Sequence, residues 1–452
     1  EYRDRIDEFT VAYSAGKDSS LLLDLVVRAL PPDAFRVVFH DSRMENRSTY
    51  ELWEEVRQEL NALGIRTDVT RSEFSPEEMW RKFGPPASGL RWCCSVFKTS
   101  PSVFASRERN GNKPVKTMTL TGVRGAESSA RASRDVIQYG KKHAGEWGFG
   151  PILDWSSAEL FVYLFSRKIK LNEAYIKGKR RVGCTLCPCI PFYVAGLDRI
   201  VSEGEFENLK QVVNESYTES IPDDGERSKF VDSGMWTQRF RTDSIQINQK
   251  TGFRESYDTN GDRVYYIENE RTPWRTWIRT MGGLTGTGPV YSLAFRGKTY
   301  EIRVDEAYRD SATGNTYALK FTFSREYMYY EPQFITAIEK VLHKVSSCVL
   351  CRTCEADCPN GFIHMKDGVP AIDEGCNRCM NCHMMAMGCL RYHSLHRKKL
   401  AERDRYPVWS ICDTELLNDV MADGTPFVED KALYPARSEK VRWEQAMAAL
   451  YV

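Results

Sequence analysis

The sequence predicts an α/β protein: a parallel-sheet domain, then a small α+β and antiparallel β region, then a cysteine-rich module. Three observations carry this: strands and helices alternate over 1–200, period-two strands occupy 286–326, and cysteines recur at two-residue gaps near 348–390. Apolar strands are expected at 9–13, 35–40, 66–69 and 117–123, and helices at 19–30, 49–63 and 157–166. Such alternation implies crossovers and a sheet covered on both faces. Beyond residue 200 the chain turns polar, and Thr259-Asn260-Gly261-Asp262 marks a hairpin. Alternating runs at 290–295, 300–304 and 317–323 suggest a small antiparallel sheet, and a helix over 331–345 leads into the cysteines. Four pieces are expected: 1–200, 201–330, 331–400 and a charged, partly helical tail, 401–452. Trp274 and Trp277 read as core or as a platform for bases.

Composition narrows the classes of function. Among 452 residues, Lys+Arg number 63 and Asp+Glu 62, a net charge of +1. This excludes a surface wholly adapted to nucleic acid. DNA or RNA must be met by a local basic patch, for which Lys177, Lys179, Arg180 and Arg181 are a candidate beside their reading as a solvated loop. No apolar stretch reaches the ~18 residues of a membrane span, so no membrane partner is expected. Of 14 cysteines, 12 sit in closely spaced groups, with Cys189 beside one group and Cys412 alone. Disulfide scaffolds are small and loop-rich, whereas these spacings suit metal ligation in a reducing cytoplasm. The first strand stands close to residue 1 with no signal-peptide pattern, which agrees with a cytoplasmic location.

Ser14-Ala15-Gly16-Lys17-Asp18-Ser19 joins the first strand to the first helix. Small residues permit a tight turn whose N–H groups face an anion at the helix N-terminus. Ser14 and Ser19 add hydroxyls, Lys17 adds positive charge, and Asp18 is placed to hold Mg²⁺ or to cap the helix. The Gly-Lys-[Ser/Thr] ending of a Walker A loop is absent. The loop resembles the Ser-Gly-Gly-x-Asp-Ser signature of the ATP pyrophosphatases (the PP-loop superfamily), with Ala15 replacing the first glycine. That resemblance implies an adenine-nucleotide alpha-hydrolase-like fold, ATP with Mg²⁺, and cleavage between the α and β phosphates.

Further stretches resemble the phosphoadenylyl sulfate (PAPS) reductase branch of that superfamily. These are His40-Asp41-Ser42, Thr121-Gly122-Val123-Arg124-Gly125-Ala126-Glu127-Ser128-Ser129-Ala130-Arg131, Pro151-Ile152 with Trp155, and Tyr175, Gly178, Arg181, Gly183 and Cys184. The resemblance implies nucleotide contacts from Ser14, Ala15, Gly16, Lys17, Asp18, Ser19, Asp41, Gly122, Arg124, Glu127 and Arg131, with Lys17, Asp18 and Arg124 catalytic. Glu127 and Arg131 are also i,i+4 partners for an ordinary ion pair.

Cys93-Cys94 and Cys184-x2-Cys187 form two thiolate pairs suited to zinc or [4Fe–4S]. They resemble the cluster ligands of iron–sulfur sulfonucleotide reductases, which implies a [4Fe–4S] cluster. Lys98 follows closely and is expected to balance charge, and Cys189 is a spare thiol or a small core residue. Cys348-x2-Cys351-x2-Cys354-x3-Cys358-Pro359 and Cys376-x2-Cys379-x2-Cys382-x6-Cys389 resemble the runs of two-cluster bacterial ferredoxins. In those the fourth cysteine of each run serves the other cluster. One cluster is therefore expected on Cys348, Cys351, Cys354 and Cys389, the other on Cys376, Cys379, Cys382 and Cys358. The six-residue last gap departs from the usual three, and His383 is expected as a neighbour of the ligands rather than one of them.

Two reactions fit a nucleotide loop joined to electron carriers. In the first, ATP adenylylates an acceptor oxygen that sulfur then replaces. This resembles the ATP-pyrophosphatase subunit of DNA phosphorothioation systems, which implies a cysteine desulfurase as sulfur donor, an electron donor, and DNA as acceptor. In the second, a sulfonucleotide (PAPS or its unphosphorylated form, APS) is reduced to sulfite. Reductases of that kind carry a C-terminal Glu-Cys-Gly-[Ile/Leu]-His, whereas here the last cysteine stands in Ser410-Ile411-Cys412-Asp413.

Overall fold

The computed structural model describes residues 2, 4–140, 145–190, 195–197, 204–241, 244–385 and 387–396. The expected tail, 401–452, and Cys412 lie outside the described residues. The described chain divides into two units. One is built from residues up to Arg81 and Pro85–Gln246, the other from Lys82–Gly84 and residues from Ile247 onward.

The first unit is a six-stranded sheet in the order β3-β2-β1-β4-β6-β5. Its strands are β1 (Glu8–Tyr13), β2 (Arg36–Asp41), β3 (Arg66–Arg71), β4 (Thr117–Leu120), β5 (Ile137–Tyr139) and β6 (Glu146–Phe149). Pairing is parallel from β3 through β6, with Val11 opposite Val37 and Leu120, while β5 runs antiparallel to β6. Burial on both faces of the central strands explains their nearly unbroken apolar runs. Helix α1 (Lys17–Ala29) buries Leu21, Leu22 and Val26, and α2 (Arg47–Ala62) buries Leu52, Trp53 and Leu60. Trp53 stacks on Phe39 of β2 at 5.0 Å and 11°. Each large apolar side chain buried in this way contributes roughly 1.5–3 kcal/mol.

The strand expected over 117–123 stops at Leu120. The Thr121 N–H makes one more bond, 2.8 Å to the Phe149 carbonyl, and Gly122 then turns the chain onto α1. This early end is what presents residues 121–131 to the loop after β1.

The second unit holds a six-stranded antiparallel sheet, β7-β8-β12-β11-β10-β9. It comprises β7 (Phe253–Tyr257), β8 (Arg263–Ile267), β9 (Leu284–Thr285), β10 (Val290–Phe295), β11 (Lys298–Arg309) and β12 (Thr316–Phe323). The hairpin at 259–262 and the strands of 286–326, expected as separate features, therefore share a sheet, because β12 pairs with β8 (Thr322 opposite Val264). Helix Pro332–Ser347 covers this sheet, and Phe334 stacks on Tyr300 with ring centroids 3.9 Å apart. Trp274 and Trp277 are 1% and 0% exposed, so they are core and not a platform for bases.

Strands β13 (Ile363–Lys366) and β14 (Val369–Ile372) form a hairpin between the two later cysteine runs. Its two-residue turn has Asp367 at φ 49° and Gly368 at φ 78°, the left-handed pair that matches strand twist. No helix among the described residues is long and apolar enough to cross a membrane.

Candidate functional site

The turn after β1 is shaped by Ser19. Its hydroxyl accepts the N–H of Ser14 and of Gly16, each at 3.2 Å, and donates to the Gly16 carbonyl at 2.9 Å. The Lys17 N–H donates to the Tyr175 hydroxyl at 2.9 Å. Ala15, fully buried, sits at φ 53°, where a Cβ is strained and the resembled signature has glycine. Gly16 precedes the first helical residue, so Asp18 lies inside α1 and does not cap it.

Asp18 is instead held between two cations. Lys17 Nζ meets one carboxylate oxygen at 2.8 Å and Arg124 Nε the other at 2.6 Å. Burial alone would raise this carboxyl's pKa, but the bonds from Lys17 and Arg124 outweigh it and hold it below the usual range. Arg124 is 2% exposed and also donates to the Trp155 carbonyl (3.2 Å) and the Ser157 hydroxyl (3.3 Å). Gly122 permits this approach: a Cβ there would lie 2.7 Å from the Asp18 carbonyl oxygen. Glu127 accepts the Arg124 N–H at 3.3 Å and pairs with Arg131. Asp41, 3% exposed, is saturated by Arg71 (2.6 Å), the Tyr50 hydroxyl (2.9 Å) and the Arg43 N–H (2.8 Å).

Arg131 belongs to a cationic cluster. Burial and the charges of Arg181, Arg134 and Arg91 push it down to about 10, opposed by Asp18. Four arginines facing one another beside the loop form a field for several negative charges. Arg91 and Arg134 were not legible as site residues, since neither lies in a stretch resembling a motif. Of the basic run at 177–181, Lys177 pairs with Glu173 at 3.1 Å, Lys179 is buried, and Arg181 joins this cluster.

Arg91 also faces Cys93, Cys94, Cys187 and Cys189. Cys93, Cys94, Cys184 and Cys187 lie within electrostatic reach of one another. The chain forms a π-helical turn, Ser95–Thr99, directly after the cysteine pair, a distortion frequent at functional sites. That turn carries Lys98, whose Nζ lies 2.8 Å from Glu45. Glu45, 5% exposed, also accepts from the Cys184 thiol (3.2 Å) and the Ser42 hydroxyl (3.0 Å). Burial and the Glu45 charge push Cys184 up to about 12. The Cys93–Cys94 hydrogen bond, resisted by burial and aided by Lys98 and Arg91, pulls Cys94 down to about 6.

In the second unit the thiols also fall into groups. Cys348 and Cys354 each face Cys351 and Cys389, while Cys379 faces Cys358 and Cys376, and Cys382 faces Cys354 of the first group as well as Cys379 and Cys358. Leu350 and Arg352 of one run, and Arg378 and Met380 of the other, occupy the same left-handed positions (φ 58°, 62°, 60° and 63°). Both loops thus fold alike around their first cysteines, with strain of the kind found at ligand clamps. The Leu350 N–H points to Cys348 Sγ at 3.4 Å, and the Phe362 N–H to Cys358 Sγ at 3.3 Å. Among the described residues, no three or more His, Cys, Asp or Glu side chains close around a single metal ion. The residues present fit a thiolate-held metal or cluster: free thiols, N–H groups aimed at sulfur, and Lys98 and the buried Lys344 as counter-charge.

Residues 8–190 match the phosphoadenosine phosphosulfate reductase domain. Over this stretch the chain carries a domain of the PAPS reductase family. An uncharacterised protein of Methanocaldococcus jannaschii is 33% identical to the chain over 180 residues, covering 40% of this chain and 36% of that protein. A second protein of that organism is 27% identical over 183 residues, 39% of this chain and 40% of its own length. The chain thus spans well under half of these two relatives. An adenosine 5'-phosphosulfate reductase of Halalkalibacterium halodurans is 25% identical over 220 residues, 48% of this chain and 86% of the enzyme. The crystal structure of a PAPS reductase from Candida auris aligns with TM-score 0.31 and 20% identity, over 40% of this chain and 83% of that one. The matched stretch, 8–190, contains the turn after β1, the 121–131 segment and the first thiol group.

Proposed function

We propose that the chain is an ATP pyrophosphatase that activates an acceptor oxygen for iron–sulfur-dependent sulfur transfer, with a DNA phosphate as the acceptor. The observation that carries this reading is the Lys17–Asp18–Arg124 grouping, joined through Arg131 and Arg91 to the Cys93/Cys94/Cys184/Cys187 thiols. ATP lies with its phosphates over residues 14–19, and Lys17, Arg124 and the arginine cluster neutralise charge as the acceptor oxygen attacks the α phosphorus. The α–β bond breaks, pyrophosphate leaves, and the acceptor carries AMP, which sulfur from a cysteine desulfurase then displaces. Asp18 is the residue for Mg²⁺ once phosphate oxygens take over its cations, since Asp41 is spent on Arg71 and Tyr50. Clusters held by the thiol groups would supply, one at a time, the two electrons that release persulfide sulfur at the sulfide level, drawn from an electron donor by way of the ferredoxin-like region at 331–400.

A second reading, reduction of a sulfonucleotide to sulfite, is favoured by the relative from Halalkalibacterium halodurans, whose printed activity it is. Pyrophosphate release from ATP, measured for the wild type and for Asp18→Ala, tests the activation step. Release that depends on Asp18 supports it, and full activity in the variant removes it.

A further inference from the structure

One strongly buried cation takes no part in the reaction proposed above. Lys344, on helix Pro332–Ser347, is 2% exposed and forms no ion pair with a carboxylate among the described residues. Its Nζ stands 5.0 Å from the centre of the Trp277 ring. Its carbonyl takes the Cys348 N–H at 2.9 Å and the Thr272 hydroxyl at 3.4 Å, so the helix ends against the first ligand of the first run. The helix is also locked to the far end of the second run. His343 Nδ1 lies 2.8 Å from the Met387 carbonyl, and Gly388 (φ 73°) lies against Lys340 where a Cβ would collide. His383, next to Cys382, also lies by Trp277, its ring 5.8 Å away and its Nε2 2.7 Å from the Thr280 hydroxyl.

This placement sets the Lys344 charge before both thiol groups: Cys348, Cys351, Cys354 and Cys389 of one, Cys382 of the other. A lone buried ammonium costs several kcal/mol unless opposite charge compensates it. Here the compensation on offer is thiolate. Charge this deep is little screened by salt, and net charge near a cluster sets its reduction potential.

We propose that Lys344 is a shared counter-cation for the two cysteine cages of the second unit, raising the reduction potential of both. This rests on the reading that these cages hold [4Fe–4S] clusters. Lys344 acts as a positioning charge, not as a ligand. Its influence is unequal, because it faces all four thiols of the Cys348/Cys351/Cys354/Cys389 cage and one of the other.

The test is an EPR-monitored redox titration of the full chain, loaded anaerobically, as wild type, Lys344→Met and Lys344→Arg. Expected are more negative midpoints for both clusters in the Met variant, with the larger shift in the first cage, and near-wild-type midpoints in the Arg variant. A loaded Met variant with wild-type midpoints overturns the inference. If the Met variant takes up no iron, the Arg variant decides. Loading with wild-type midpoints upholds the role of charge, and failure to load overturns it in favour of a space-filling role. A wild type without iron in the second unit overturns the cage reading itself, a result distinct from unshifted midpoints in loaded protein.

Discussion

Arg124 Nε stands 2.6 Å from Asp18 Oδ1, and Lys17 Nζ 2.8 Å from Asp18 Oδ2, so one carboxylate occupies both cations that face the turn after β1. Asp18 holds the place of an anion there. In the proposed reaction an entering triphosphate takes Lys17 and Arg124 from it and frees the carboxylate for a metal ion.

Breaking this pair from the arginine side is expected to be expensive. Arg124→Met leaves the Trp155 carbonyl and Ser157 hydroxyl without their donor and Asp18 with a single cation. Loss of about 3 kcal/mol in unfolding free energy is expected from denaturant titration, together with loss of ATP binding by calorimetry. A variant as stable as the wild type contradicts the buried-pair geometry.

Gly122→Ala tests the same contact without removing charge. The added methyl meets the Asp18 carbonyl and the Ser19 nitrogen, both backbone atoms that cannot swing aside. The 121–124 turn must retreat, and nucleotide affinity is expected to fall about tenfold or more, about 1.4 kcal/mol. Unchanged affinity means the turn does not need to touch α1.

In the first thiol group, Glu45→Gln leaves Lys98 without its carboxylate and Cys184 with an uncharged acceptor. The expected outcome is lower iron content in the reductase domain, with the second unit unaffected, measured by metal analysis and EPR. Equal iron in both proteins separates Glu45 from the thiols.

The later cysteines are expected to serve crosswise. Cys389→Ser should remove the cluster shared with Cys348, Cys351 and Cys354, and Cys358→Ser the one shared with Cys376, Cys379 and Cys382. Loss of the opposite signal in each variant, followed by EPR, reverses the assignment.

Acid stability has a local source at Glu8. Burial raises its pKa, but hydrogen bonds from Arg109 (2.8 Å) and Ser106 and the charges of Arg109 and Arg36 prevail, holding it below the ordinary 4.5. The stabilisation is complete above that value and is lost as pH falls through the lowered one. Glu8→Gln should therefore lower Tm at neutral pH and flatten its decline below about pH 4.5. Parallel wild-type and variant Tm curves contradict this.

Much of the first unit was legible because its cues are local. The helix at 157–166 has its apolar period and a Ser156–Glu159 capping box within a few residues, and β1, β2 and β3 are apolar or β-branched runs between turns. The end of β4 at Leu120 was not legible, since it depends on Gly122 meeting α1 about a hundred residues away in sequence. The union of β8 with β12 was hidden for the same reason, because strand partners distant in sequence leave no periodic mark. At the site, the motifs named Lys17, Asp18 and Arg124 but not that they pair. Arg91 and Arg134 join only through folding, and no spacing rule marks them.

The most direct measurement is an anaerobic, side-by-side assay of the purified full chain: pyrophosphate from γ-³²P-labelled ATP, and sulfite from ³⁵S-labelled adenosine 5'-phosphosulfate. Activation for sulfur transfer gives labelled pyrophosphate and no sulfite. Sulfite without pyrophosphate contradicts it and makes the chain a sulfonucleotide reductase.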